Sequence, residues 1–124
     1  MARDFMARAR DLGLAQNCYV LMGVGVLASA KTAKWLRSAI PGVHIPDAVI
    51  RRLEQAEKPK AEGRAIAIEL MQQLAEIEGI SGIHLMAYKQ EEWIGDIVTR
   101  SGVLQGRKPW APSHLDHLRQ PASA

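Results

Sequence analysis

Apolar residues along this chain follow two rhythms. Phe5, Met6, Ala9 and Leu12 recur at helical spacing, which predicts a helix over 3–12 that stops at Gly13. The stretch from Cys18 to Val24 is apolar throughout rather than alternating, the pattern of a strand covered on both faces in a parallel sheet. Ser29 then offers an oxygen to the first turn of a helix reaching about Ala39, and Pro41-Gly42 stops it.

The same two rhythms repeat further on. Val43-His44-Ile45 is short and suited to a strand. Pro46 fits a first helical turn, and Val49, Ile50 and Leu53 form an apolar stripe to about Ala56. Lys58-Pro59-Lys60 breaks the pattern. Residues 61–78 predict the longest helix, with Ile66, Leu70, Leu74 and Ile77 on one face, Ala67 and Met71 beside them, and Gly79 at its end. Ile83 to Ala87 is a further strand of the buried kind, and Glu91 to Thr99 a helix with Ile94, Ile97 and Val98 turned inward. From Gln105 the chain becomes polar and proline-rich, and 111–124 is expected to be a loose tail.

The predicted order is α-β-α-β-α-α-β-α. Strands alternating with helices imply an α/β fold with a parallel sheet and helical crossovers. Three strands cannot close an eight-stranded barrel, and standing alone they leave two unpaired edges. A helix that opens at Met1 with no element ahead of it suggests that an N-terminal part is missing.

Composition narrows the picture by exclusion. A chain of 124 residues, 48% apolar and 23% charged, is about one ordinary globular domain. No apolar run is long enough for a membrane span, and MARDFMARAR has no apolar segment of a secretory signal. The single cysteine, Cys18, excludes an intrachain disulfide and reads as a small core residue. Together these features point to a cytoplasmic protein. The net charge of +3 is spread over scattered basic pairs, and none of the six aromatics alternates with a basic cluster. Nucleic acid is therefore not an expected partner, and nor is a membrane.

Motifs alone bring no chemistry. Gly23-Val24-Gly25-Val26-Leu27-Ala28 has the spacing of a dinucleotide-binding turn, with Asp47 near the acidic position such a site needs. Asp47, however, follows Pro46 at a helix start rather than ending a strand, so a glycine-containing βα loop is the simpler reading. His44, His84, His114 and His117 lack the convergent ligand spacing of a metal site, and none is assigned. His84 reads as a hydrogen-bonded core histidine. Glu91-Glu92 reads as a helix N-terminus complementing its dipole rather than an acid/base pair.

Several segments, in order and spacing, resemble the methylenetetrahydrofolate reductase family. YVLMGVGVLASAKTAKWLR resembles the family's sixth strand, glycine-containing loop and following helix. PGVHIPDAVIRRLEQ resembles its short seventh strand and helix, and EGRAIAIELMQQLAEIEGISGIHLMAYKQEE resembles its long seventh helix and eighth strand; RKPW resembles the end of the catalytic domain. The resemblance implies the C-terminal part of a (βα)8 TIM barrel, strands 6 to 8 with their helices, over residues 1–110, and leaves 111–124 as the tail.

The family's barrel carries FAD and reduces 5,10-methylenetetrahydrofolate to 5-methyltetrahydrofolate with NAD(P)H, in one-carbon and methionine metabolism. Its catalytic acid and nearly all flavin contacts come from the first five strands. The resemblance therefore implies no catalytic residue in this chain, no flavin bound by it alone, and no activity by itself. Self-association, or pairing with a separately encoded N-terminal half-barrel as a non-catalytic module, is the alternative. Two positions correspond to folate contacts, and both depart from the family. Thr32 stands where a glutamine is usual and Gln90 where an arginine is usual, in MAYKQ against the family's FYTLNR. Neither side chain carries a charge for the glutamate tail of a folate. Restoring arginine at 90 is expected to tighten folate binding.

Overall fold

A computed structural model of the chain describes residues 1–107. Helix α1 (Ala2–Asp11) and the short α2 (Leu14–Asn17) lead into strand β1 (Val20–Gly25). Then follow α3 (Ala30–Ala39), α4 (Asp47–Gln55), α5 (Pro59–Ala75), strand β2 (Ile80–Met86), a 3-10 turn (Glu91–Trp93) and α6 (Ile94–Ser101). Mixed helix and strand content with a small parallel sheet is compatible with part of a TIM barrel.

The two strands pair directly with each other, in parallel, from Val20 opposite Ile80 to Gly25 opposite Met86. The expected strand at 43–45 is therefore corrected: among the described residues the sheet has two strands, and 43–45 joins neither. The segment still does part of what the sequence asks of it, because Ile45 is buried with Ala33, Ile50 and Leu53. Its backbone bonds are local rather than those of a ladder: Val43 N donates to the Ile40 carbonyl at 3.3 Å. Arg37 Nη1 donates to the Ile45 carbonyl at 3.2 Å, and Pro46 has no N–H to give.

The helices cover one face of the sheet. Met22 and Val24 of β1 and Ile83 and Leu85 of β2 meet Ala67, Ile68, Met71 and Leu74 of α5 and Ile97 of α6. The opposite face, expected to be buried as well, is not covered by any helix among the described residues. It presents Leu21, 62% exposed, and Met86, 48% exposed, with His84 between neighbouring strand positions. His84 is thus an exposed strand residue rather than a core one. A register shift near Val20 lets Ile80 and Ile83 both reach the helix-covered core, and Ser81 Oγ accepts from Val20 N at 3.1 Å there.

Cys18 is also corrected from core to exposed. The extra turn at 14–17 delays the start of β1 to Val20, and Cys18 Sγ donates to the Leu14 carbonyl at 3.0 Å. The longest helix begins earlier than expected, with Pro59 in its first turn rather than in a break, and ends at Ala75. Gly79, at φ +91°, then makes the tight entry to β2.

Salt bridges tie α4 to α5. Arg52 meets Glu62, and both of its terminal nitrogens meet Glu69 at 2.6 and 2.7 Å. Arg52 holds the Glu69 carboxyl below its ordinary 4.5. A depressed carboxyl adds stability that is fully present above its unfolded value and is lost as pH falls through the folded one. Glu69→Gln is therefore expected to leave the melting temperature's pH dependence shallower below pH 4.5 than in the unmodified chain. Equal acid limbs in the two proteins would show that the bridge is too solvent-screened to matter.

Candidate functional site

The C-terminal ends of parallel strands, with the loops after them, are where an α/β fold presents chemistry. Here that rim is shared by two loops. Val26 N donates to the Met86 carbonyl at 2.9 Å, so the segment after β1 stays attached to the end of β2. The helix α5 closes against the first loop. A β-carbon on Gly63 would stand 1.7 Å from the Leu27 carbonyl oxygen, an approach that only glycine permits.

Thr32 lies in the first turn of α3 and is exposed. Ser29 caps that helix as the sequence suggested: Thr32 N donates to Ser29 Oγ at 3.1 Å, and the two hydroxyls are 3.0 Å apart. The same cap occupies a backbone donor that a pyrophosphate would need. Asp47 accepts from Arg37 Nη1 at 2.6 Å at the start of α4, and Arg37 holds its carboxyl below the usual range. Asp47 is thus a structural ion-pair partner, and the dinucleotide reading of Gly23 to Ala28 has no acidic residue at a strand end.

Gln90 sits in the turn after β2. Its N–H donates to the Ala87 carbonyl at 3.0 Å and its own carbonyl accepts from Trp93 N at 3.0 Å. Lys89, just before it, takes the left-handed conformation at φ +56°, and its N–H donates to Glu91 Oε1 at 2.9 Å. Backbone N–H groups, foremost that of Glu91 itself, hold the Glu91 carboxyl below its usual range. Glu91 therefore closes the turn, as the dipole reading expects of an acidic helix start.

The Gln90 side chain is 2% exposed, although its neighbours Tyr88 and Lys89 point to solvent. Its Oε1 accepts from Arg64 Nη1 at a long 3.3 Å, and its Nε2 has no partner among the described residues. The Arg64 guanidinium lies 4.1 Å from the centroid of the Trp93 ring. Thr32 and Gln90 thus share one end of the sheet on neighbouring loops, and no hydrogen bond joins them. An arginine at 90 would meet the Arg64 guanidinium, so the affinity gain that the sequence suggests is opposed by like charge.

Arg64 and Trp93 were not singled out from the sequence. Arg64 is one of many scattered basic residues, 26 positions before Gln90. The one available signal was Gly63, a poor helix former inside an otherwise helical stretch, which hints at close backbone contact. Among the described residues no three His, Cys, Asp or Glu converge as for a metal; His114 and His117 lie outside those residues.

The family model of methylenetetrahydrofolate reductase matches residues 3–102, most of the chain. This chain belongs to the methylenetetrahydrofolate reductase family. Comparison with curated proteins and with solved structures gave no match. Members of this family act in folate-dependent one-carbon chemistry and generally bind FAD. The cap at Ser29 takes one backbone donor at the start of α3, and the sheet face away from the helices presents Leu21 and Met86. The expected tail at 111–124 lies outside the described residues. No helix among those described is long and apolar enough to cross a membrane.

Proposed function

We propose that this chain supplies the folate-side rim of a flavin-dependent methylenetetrahydrofolate reductase and is inactive without the rest of the barrel. The observation that carries the reading is a parallel strand pair in a chain of this family, with the face away from the helices uncovered among the described residues. In a closed (βα)8 barrel that face is packed by side chains of the other strands. On the resemblance, β1 and β2 correspond to the sixth and eighth strands, and segment 43–45, which joins neither among the described residues, to the short seventh. The flavin, and hydride chemistry with it, belongs on this reading to other parts of the barrel. The chain's own task is to orient the folate through Thr32, Gln90 and the loops that carry them. Residues 1–110 act as the partial barrel.

The test is complementation. A family reductase lacking strands 6 to 8 is co-expressed with this chain, and flavin content and NAD(P)H-dependent reduction of methylenetetrahydrofolate are measured. Both should appear only with the two pieces together. The chain alone, purified with excess FAD, should show no stoichiometric flavin band in its visible spectrum. A flavin band, or turnover by the chain alone, would overturn the reading.

A second reading is favoured by one surface. A cleft of about 790 Å3 runs along β2, α5 and α6, lined by Met71, Ile80, Ile83, Val98 and Leu104. With the bare face, it suits a non-catalytic module that pairs with a separately encoded N-terminal half-barrel or with a second copy. A stable complex that lacks NAD(P)H turnover in the same experiment would select it.

A further inference from the structure

We propose that Arg64, flanked by Trp93 and Gln90, is the carboxylate-binding group of the rim, taking the place of the charge that Gln90 lacks. The inference rests on the folate reading above for the identity of the ligand, but not for the site itself.

Four observations converge. Arg10, Arg37, Arg52 and Arg100 each hold an acidic side chain. Arg64 forms no ion pair with any described residue. Among the described residues its guanidinium meets the neutral Oε1 of Gln90, at 3.3 Å, and the Trp93 ring. Stacking on Trp93 fixes the guanidinium plane, which lowers the entropy lost when its N–H edge receives a ligand. The Gln90 amide nitrogen beside it is buried and has no acceptor, an arrangement that costs stability unless a ligand oxygen arrives. Finally, Gly63 presses α5 against Leu27, so Arg64 is set at the rim by backbone contact rather than by a mobile loop.

The chemistry selects the ligand class. A guanidinium with one neutral amide beside it matches a single carboxylate, whose two oxygens take two parallel N–H bonds. One cation is a poor match for a doubly charged phosphate. Trp93, 40% exposed, adds an apolar flank suited to an aromatic ring near that carboxylate. An arylamide that ends in an amino-acid carboxylate, such as the benzoylglutamate end of a folate, has both parts.

The full chain, labelled with nitrogen-15, is titrated with p-aminobenzoylglutamate and followed by NMR at the Arg64 side-chain N–H and the Trp93 indole N–H. Saturable shifts centred on these two and on the Gln90 amide are expected. In Arg64→Gln, which keeps an amide donor toward Gln90, the dissociation constant should rise about tenfold, the scale of one charged hydrogen bond. Arg64→Lys should lie between. Neutral p-aminobenzamide should produce no saturable shift, and inorganic phosphate should not compete. Shifts that do not saturate, that centre elsewhere, or that persist undiminished in Arg64→Gln overturn the proposal, as does displacement by phosphate. Should Arg64→Gln lose its dispersed spectrum, the wild-type shift map and Arg64→Lys decide. Binding of plain benzoate as tight as that of p-aminobenzoylglutamate would uphold the carboxylate site while removing support for folate as its ligand.

Discussion

Gly63→Ala should destabilise the protein by about 3 kcal/mol and lower its melting temperature by roughly 10 °C. The added β-carbon would lie 1.7 Å from the Leu27 carbonyl oxygen and 2.8 Å from its carbon. Both are backbone atoms, so no side-chain rotation relieves the clash. Either α5 or the loop after β1 must move, and the two meet at the rim. On an open helix face the same change is favourable by up to about 1 kcal/mol, because alanine is the better helix former. Gly95 in α6 supplies that comparison, since a β-carbon there meets nothing within 4 Å. Thermal melts of Gly63→Ala and Gly95→Ala should therefore move in opposite directions. Equal, small shifts would mean that α5 does not press on the Leu27 carbonyl. The rim geometry assigned to Arg64 would then lose its anchor.

Ile97→Ala should cost about 3 kcal/mol, within the usual range for truncating a buried isoleucine. Ile97 is fully buried and joins α6 to the cluster of Val24, Ala67, Ile68, Met71 and Leu74. Its loss leaves a cavity where α6 meets α5. The turn carrying Gln90 and Trp93 runs directly into α6, so the rim should loosen with it. Chemical denaturation gives the energy, and a lower denaturation midpoint with an unchanged slope is the expected form. Hydrogen exchange at the Trp93 amide, bonded to the Gln90 carbonyl, gives the local effect. A loss below about 1 kcal/mol would mean that α6 is not held through this contact.

Local chemistry was legible along the chain wherever one residue type decides it. Ser29 caps α3, and the helical stripes place Leu53, Met71 and Ile97 inside, because period and capping depend only on neighbours a few residues away. The α/β class and the family followed from the order of such segments. Tertiary structure decided what depends on partners far along the chain. Val43 to Ile45 has the composition of a strand, yet β2 already pairs with β1, and Arg37 takes the Ile45 carbonyl. Cys18 and His84 sit in apolar runs, yet they are exposed, because an apolar run shows what a segment could bury and not which of its faces is covered. Arg64 comes to Gln90 only because Gly63 lets α5 reach the loop after β1. A contact between residues 26 positions apart is fixed by packing, and no local pattern encodes it.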